Sequence, residues 1–227
     1  MPVKTGTSED LADYRTFTEK SGNNLRAMVG KNAVIRPYYF SSLFRQEIIN
    51  NGKYKYRRNK IVLVVGQYYD YKGMDVAFKV ASMDESIQYK FVGMGNRTEL
   101  FGLEQGERPN IQIIPFLQKE ALINEYKECA MLLLPSRQEC WGLVINEAAS
   151  FGMPIVSTWG SGAAVEFLAD KYPQYLAIPG DEYSLYECVK KCLNSDTDEY
   201  IDYLCKKSFG YSIEESVLSH FNAFENL

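Results

Sequence analysis

Short apolar runs alternate with longer amphipathic stretches over most of the chain. Several runs are apolar at every position, which is typical of strands that are covered on both faces. The stretches between them carry apolar residues at helical spacing. The predicted strands are 61–65, 89–92, 111–114, 131–134, 154–157 and 175–178, and the predicted helices lie near 74–83, 97–104, 118–129, 143–152 and 163–170. This alternation predicts an α/β fold with a doubly wound parallel sheet.

The two ends of the chain differ from the alternating part. Residues 181–227 predict helices without further strands. Residues 1–37 predict a helix and then a short strand, which ends at Pro37 because proline cannot donate to a sheet ladder. A connector with the basic tract 53–60 follows. This tract is either a solvated interdomain linker or an electrostatic contact with anionic lipid headgroups.

Composition excludes several classes of function. The net charge of −4 argues against a nucleic-acid partner, because such domains usually carry a strong basic excess. The five cysteines are an odd number without a Cys-x-x-Cys pair, which favours reduced thiols over disulfides or a metal site. His220 is the only histidine and cannot build a histidine metal site. The sequence shows neither a signal peptide nor a membrane-spanning run and therefore predicts a cytoplasmic protein, and its cysteines and histidine predict no metal site.

Two loops that follow predicted strands carry candidate phosphate ligands. Open parallel sheets bind ligands at the carboxyl ends of their strands. After the first strand, Gly66 permits a tight turn, and Lys72 can meet a phosphate as a point charge, although an ordinary solvated lysine is the alternative. After the second strand, Gly93-Met94-Gly95 lacks the third glycine of the dinucleotide fingerprint. It is therefore either part of a ligand site or a simple turn.

The loop 135–147 after the fourth strand is the most informative segment. Gly142 opens a predicted helix, whose first backbone N–H groups and positive dipole end form an anion site. Glu139 precedes this helix, and Glu147 lies about 6 Å along its axis. Carboxylates accept hydrogen bonds from hydroxyls, so a ligand with phosphates and many hydroxyls, a nucleotide sugar, fits the pattern. The alternative is that the acidic residues only stabilise the helix dipole, by roughly 0.3–1 kcal/mol.

From Ile61 onward the chain resembles glycosyltransferase family 4, the retaining GT-B enzymes. Glu139, seven intervening residues and Glu147 match the paired-glutamate motif of that family, and 141–143 keeps its aromatic-Gly-Leu. Other family elements follow in the same order: Gly66, Lys72-Gly73, Gly93-Met94-Gly95, Pro115-Phe116, Pro135-Ser136, Gly152-Met153-Pro154-Ile155-Val156, Gly160-Ser161-Gly162 with Glu166, and Pro179-Gly180-Asp181. Several elements in the right order are more specific than any one of them.

The resemblance implies roles for individual residues. Glu139 would bind hydroxyls of the donor sugar, Glu147 the nucleotide ribose and Lys72 the diphosphate, which makes Glu139 and Lys72 the expected catalytic residues. The backbone of 142–144 would assist Lys72, and 115–116 would lie beside the base. The complete set of expected donor-binding residues is Gly66, Gln67, Lys72, Gly93, Pro115, Phe116, Glu139, Gly142, Leu143, Val144 and Glu147.

The resemblance also implies a domain organisation and a mechanism. Residues 61–211 would form the Rossmann-like nucleotide-sugar-binding domain, the C-terminal half of a GT-B fold, and 212–227 the helix that crosses back. Residues 1–40 would be a remnant of the acceptor domain and 41–60 a linker. The sugar would move from a nucleotide-sugar donor to its acceptor with retained configuration, without a covalent nucleophile, a cofactor or a required metal.

Two departures from the family pattern leave the function open. Gln67 stands where the family usually has an arginine, and the loss of one charged hydrogen bond weakens binding by roughly 10- to 100-fold. Most of an acceptor domain is also missing from the sequence. The first hypothesis is a group 1 glycosyltransferase of glycan or polysaccharide synthesis. The alternatives are a non-catalytic nucleotide-sugar-binding module or truncated remnant, and, less favoured, a nucleotide-sugar epimerase.

The expected partners follow from the first hypothesis. They are a nucleotide-sugar donor, an acceptor glycan or lipid-linked glycan, and an acceptor domain or second copy of the chain. If the basic tract 53–60 contacts lipid headgroups rather than being a solvated linker, a peripheral contact with the inner face of the membrane is added.

Overall fold

The computed structural model describes residues 60–94 and 108–225. Several predictions lie outside these residues: the helix and strand of 1–37, the basic tract 53–60 apart from its last residue, and the helix near 97–104. The proposed domain boundaries at residues 40 and 60 also remain predictions.

Six parallel strands form one sheet, as the sequence predicts. Their order across the sheet is β3-β2-β1-β4-β5-β6. The strands are β1 (Ile61–Val65), β2 (Gln88–Val92), β3 (Ile111–Ile114), β4 (Met131–Leu134), β5 (Ile155–Thr158) and β6 (Leu176–Ala177). The fold is therefore a doubly wound, Rossmann-like α/β fold, which confirms the predicted class.

Seven α-helices lie in the described part of the chain. They are α1 (Met74–Ala81), α2 (Lys119–Glu128), α3 (Leu143–Ser150), α4 (Gly162–Leu168), α5 (Glu182–Asn194), α6 (Asp198–Phe209) and α7 (Ile213–Glu225). Short 3-10 turns cover Asp70–Lys72 and Pro173–Tyr175. The helices differ from their predicted bounds by one or two residues at their ends, and 181–225 contains helices without a strand, as expected.

The core lies against the central strands. All four residues of β4 are buried, and successive strand residues point to opposite faces, so both faces of the sheet are covered. Helix α1 packs against α5, and α3 packs against α6. Each fully buried leucine in β4 contributes about 1.5–3 kcal/mol. The central strands β1 and β4 thus support the loops that follow them.

The strand order reverses between β1 and β4. These two strands are neighbours, with Val62 beside Met131 and Leu63 beside Leu132. From β1 the chain proceeds outward to β2 and β3, and from β4 it proceeds the other way to β5 and β6. In open α/β sheets, ligands bind in the crevice at such a reversal, outside the carboxyl ends of the strands.

Within 60–94 and 108–225, no helix combines the length and the apolar character needed to cross a bilayer.

Candidate functional site

The loops after β1 and β4 meet at the strand-order reversal. The 3-10 turn after β1 carries Lys72, whose Nζ donates a hydrogen bond to Oε2 of Glu139 in the loop after β4. Gly73 makes this close approach possible. It has φ +66°, and a Cβ atom there would lie 2.1 Å from the carbonyl oxygen of Pro135. The two residues that the resemblance makes catalytic are therefore in contact.

The backbone of the Glu139 loop is held on two sides. The N–H groups of Arg137 and Gln138 donate to the carbonyl oxygen of Tyr71 at 2.8 and 3.1 Å. The N–H of Glu139 donates to the carbonyl oxygen of Gly160 at 2.8 Å. The loop after β4 is thus tied both to the loop after β1 and to the loop after β5.

The helix that follows Glu139 starts at a glycine. Gly142 is the N-cap of α3, with φ +99°, and it leaves the first turn without a side-chain cap. Backbone N–H groups at such a helix start attract anions through their hydrogen bonds and the helix dipole. The side chain of Leu143 is exposed beside them, and that of Val144 is partly buried. The helix start that the sequence predicts at Gly142 is therefore present, and its binding of a phosphate stays a prediction.

Glu147 is held by a residue that the sequence analysis missed. The hydroxyl of Tyr126, on α2, donates to Oε2 of Glu147 at 2.7 Å. Burial raises the pKa of Glu147, although the Tyr126 hydrogen bond and the charge of Lys119 act to lower it. Burial and the Glu147 carboxylate also raise the pKa of Tyr126 well above its ordinary value. No sequence pattern singles out Tyr126, which occupies an ordinary apolar position of a helix.

Arg137 and Asp75 form a second pair that the sequence analysis did not name. The guanidinium of Arg137 donates from Nη1 and Nη2 to the two carboxylate oxygens of Asp75, at 2.7 and 2.6 Å. Nη1 also donates to the carbonyl oxygen of Asp70 at 2.7 Å. Burial acts to raise the pKa of Asp75, but the hydrogen bonds and charge of Arg137 hold it below its ordinary value.

The remaining predicted residues lie on the same edge of the sheet. Gly66 donates to the carbonyl oxygen of Val92, and a Cβ atom on Gly93 would lie 3.4 Å from the carbonyl oxygen of Gly66, so these two turns are adjacent. Gln67 is exposed and uncharged. Pro115 and Phe116 follow β3 and are exposed, with 70% of the Phe116 surface accessible. Strand β3, which precedes them, is two strands from β1, about 10 Å across the sheet.

The sequence of the chain matches one known protein family over the residues of this site. The sequence profile described as glycosyl transferases group 1 matches residues 45–206, well over half of the chain. The chain belongs to this family. The match includes every residue predicted above to bind the donor, from Gly66 to Glu147, although it does not test their roles.

Curated relatives of this family member are longer proteins. Lipopolysaccharide glucosyltransferase WaaG of Escherichia coli is 25% identical over 203 residues, which cover 82% of this chain and 51% of WaaG. An uncharacterized 41.2 kDa protein in the cps region of Klebsiella pneumoniae is 29% identical over 138 residues, which cover 58% of this chain and 38% of that protein. The chain thus spans about half or less of the length of these relatives.

Solved structures confirm the GT-B type of fold. Sucrose-phosphate synthase of Thermosynechococcus elongatus matches with a TM-score of 0.68 and 18% identity, over 100% of this chain and 64% of that one. Staphylococcus aureus TarM, solved with UDP, matches with a TM-score of 0.62 and 17% identity, over 77% of this chain and 37% of that one. Anabaena HepE, solved with UDP-glucose, matches with a TM-score of 0.58 and 19% identity, over 82% of this chain and 51% of that one.

Proposed function

We propose that this chain is the donor-binding half of a retaining glycosyltransferase, which transfers a sugar from a nucleotide-sugar donor to a glycan or lipid-linked glycan acceptor. The observation that carries the proposal is the contact between Lys72 and Glu139 at the strand-order reversal, in front of the uncapped start of α3. A cation, a carboxylate and an anion-binding helix start are the groups that a sugar diphosphate requires.

The donor class is supported from two sides. A carboxylate accepts hydrogen bonds from sugar hydroxyls. Two glutamates lie near the start of α3: Glu139 in the loop before the helix and Glu147 within it. The HepE structure contains UDP-glucose, and WaaG is named a glucosyltransferase. A uridine nucleotide is therefore the first donor to test.

Transfer in this site would depend on stabilising the leaving group. The bond between the anomeric carbon and the diphosphate oxygen breaks, an acceptor hydroxyl forms the new bond on the same face, and its proton passes to the departing phosphate. Lys72 and the N–H groups at the start of α3 stabilise the charge that develops on the diphosphate. In this proposal the protein supplies no covalent nucleophile and no metal, and it acts by positioning the donor.

Donor binding has to replace the existing Lys72–Glu139 contact. The diphosphate takes the ammonium group of Lys72, and a sugar hydroxyl donates to the carboxylate of Glu139. A charge-assisted hydrogen bond contributes about 1.5–3 kcal/mol, so each of these contacts is worth roughly 10- to 100-fold in affinity.

The second candidate function is a nucleotide-sugar-binding module without catalysis. Gln67 favours it, because its exposed amide carries no charge where the family usually has an arginine. Arg137 does not replace that arginine in the observed arrangement, since its guanidinium is bound to Asp75.

The first proposal also includes a cytoplasmic location at the inner face of the membrane. This part of the proposal rests on the sequence alone.

A donor-turnover assay separates the two functions. The purified chain, alone and together with an acceptor-domain half, is incubated with UDP-glucose, GDP-mannose and ADP-glucose, and the released or transferred sugar is followed by proton NMR. The glycosyltransferase predicts turnover of one donor with its α configuration retained when the acceptor-domain half is present, and a loss of about 10-fold or more in Lys72→Met and Glu139→Gln. Saturable donor binding without any turnover in this complete assembly contradicts the catalytic proposal and supports the binding module.

A further inference from the structure

Segments 70–75 and 135–139 are joined by several contacts besides the one between Lys72 and Glu139. Arg137 makes most of them. Its backbone N–H bonds to Tyr71, and its guanidinium bonds both to the carbonyl oxygen of Asp70 and to the carboxylate of Asp75. One side chain therefore reaches the turn before Lys72 and the first turn of the helix after it.

The Arg137–Asp75 pair has the geometry of a rigid connection. Each terminal nitrogen of the guanidinium donates to a different carboxylate oxygen, and this planar two-point contact fixes orientation as well as distance. Both side chains are partly buried, with 30% and 32% of their surfaces exposed, so water screens the pair less than an open surface pair. A single hydrogen bond from a lysine would not fix the angle between the two segments in this way.

The position of the pair along the chain connects it to the ligand site. Asp75 lies three residues after Lys72, and Arg137 lies two residues before Glu139. A diphosphate competes with Glu139 for the ammonium group of Lys72, so this contact cannot hold the two loops while a donor is bound. The Arg137–Asp75 pair uses neither of these groups, so the donor does not compete for it.

We infer that Arg137 and Asp75 are positioning residues, which hold Lys72 and Glu139 at the separation that a sugar diphosphate requires. This inference rests on the proposed donor site, but its structural part, the ordering of 135–141 by the pair, is independent of any ligand. Neither residue touches the donor in this scheme. Their effect on binding passes through the two loops that they join.

The first arm of the test is hydrogen exchange on the full chain without nucleotide. Asp75→Asn removes the charge and keeps the shape, so the fold is expected to persist. Peptides covering 135–141 are expected to exchange about 10-fold faster in Asp75→Asn and in Arg137→Gln than in the wild type. The matched control is Glu125→Gln, which breaks the Lys90–Glu125 pair, a similarly close and partly buried contact at 2.7 Å on another part of the sheet. In that control, exchange in 135–141 is expected to stay within about 2-fold of the wild type.

The second arm measures UDP affinity by calorimetry in the same variants. Each single substitution is expected to weaken binding by about 10-fold, and the double variant Asp75→Asn/Arg137→Gln by no more than the weaker-binding single variant, because the pair acts as a unit. Glu125→Gln is expected to lower the melting temperature without changing the affinity by more than about 2-fold. If the pair only stabilised the fold, the UDP affinity of all four variants would instead fall in step with their melting temperatures.

Two results overturn the inference. One is unchanged exchange of 135–141 in both single variants, and this result does not depend on whether a nucleotide binds. The other is faster exchange with unchanged UDP affinity, which would show that the pair orders the loop without positioning the ligand groups. A wild-type chain that binds no UDP contradicts the proposed donor instead, and the exchange arm then decides the structural part alone.

Discussion

Glu147, the proposed ribose ligand, illustrates how the burial of a carboxylate affects stability. Its carboxylate is mostly buried and accepts one hydrogen bond, from the hydroxyl of Tyr126. Tyr126 is itself buried and stacks on Phe151, with ring centroids 5.7 Å apart. In the proposed function, a ribose hydroxyl donates to this carboxylate. Burial raises the pKa of Glu147, which means that the ionised form is disfavoured in the folded protein.

The raised pKa predicts how stability depends on pH in a Glu147→Gln variant. Between the ordinary pKa of 4.5 and the higher value in the folded protein, the unfolded chain releases a proton that the folded chain retains. The contribution of Glu147 to the free energy of unfolding is therefore largest in acid and falls as the pH rises through this window. Thermal unfolding of both proteins at about pH 5 and about pH 7.5 is expected to show the variant gaining relative to the wild type at the higher pH. A stability of the variant relative to the wild type that is constant with pH, or that falls toward the higher pH, would contradict the assignment.

Individual residues of the site were predictable to different degrees. Lys72 and Glu139 both follow strands that end on one edge of a parallel sheet, so their proximity follows from the alternation of strands and helices. The direct contact between them does not follow, because it depends on the close approach at Gly73. The partners Tyr126, Asp75 and Arg137 could not be predicted, since each occupies a position where the sequence pattern is ordinary and only the packing of distant segments brings it to the site.

At the scale of elements, the site is made by loops that follow the two central strands. The loop after β1 passes so close to the loop after β4 that no side chain fits at Gly73. The same residue has positive φ and serves as the C-cap of the 3-10 turn that carries Lys72 and as the N-cap of α1. The approach of the two loops therefore depends on one glycine.

Gly73→Ala is expected to lower the free energy of unfolding by about 1–3 kcal/mol, through strain at positive φ and the clash with Pro135. Chemical denaturation measures the change. Gly210→Ala is the matched control, because Gly210 has φ −65° and an added Cβ would lie 3.4 Å from the nearest oxygen. That control is expected to be neutral or stabilising by up to about 1 kcal/mol. Equal effects of the two substitutions would show that the close approach at Gly73 is not needed.

The elements themselves were largely predictable. The strand β4 is recognised by four consecutive apolar residues, and all four are buried in the sheet. The predicted strand 175–178 is the weakest case, because the chain forms a 3-10 turn up to Tyr175 and only two residues pair as β6. Pairing at the edge of a sheet depends on the neighbouring strand, which a local pattern does not reveal.

At the scale of the whole molecule, the last helix presents an apolar surface. Ile213, Val217 and Phe221 are exposed at a spacing of four residues, which places them on one face of α7, with Leu218 beside them. The curated relatives are longer than this chain, which spans 38% and 51% of two of them. An acceptor domain or a second copy of the chain is the partner that we expect on this face.

Association through this face is tested by sedimentation velocity. The wild-type chain is expected to self-associate, and Val217→Lys/Phe221→Lys is expected to weaken the association by about 10-fold or more, because charges replace apolar contacts. Glu215→Lys, on the same helix, is the control for adding a positive charge and is expected to leave the association within about 3-fold of the wild type. A wild-type chain that remains monomeric at high concentration would contradict the prediction.

The most direct test of the proposed donor site is calorimetric binding of UDP, GDP and ADP to the full chain and to Glu147→Ala. The account predicts saturable binding of one of the three nucleotides and a loss of at least about 10-fold in affinity in the variant, because the ribose loses a charged hydrogen-bond partner. No binding of any nucleotide to the wild type, or equal affinity in the variant, would contradict it.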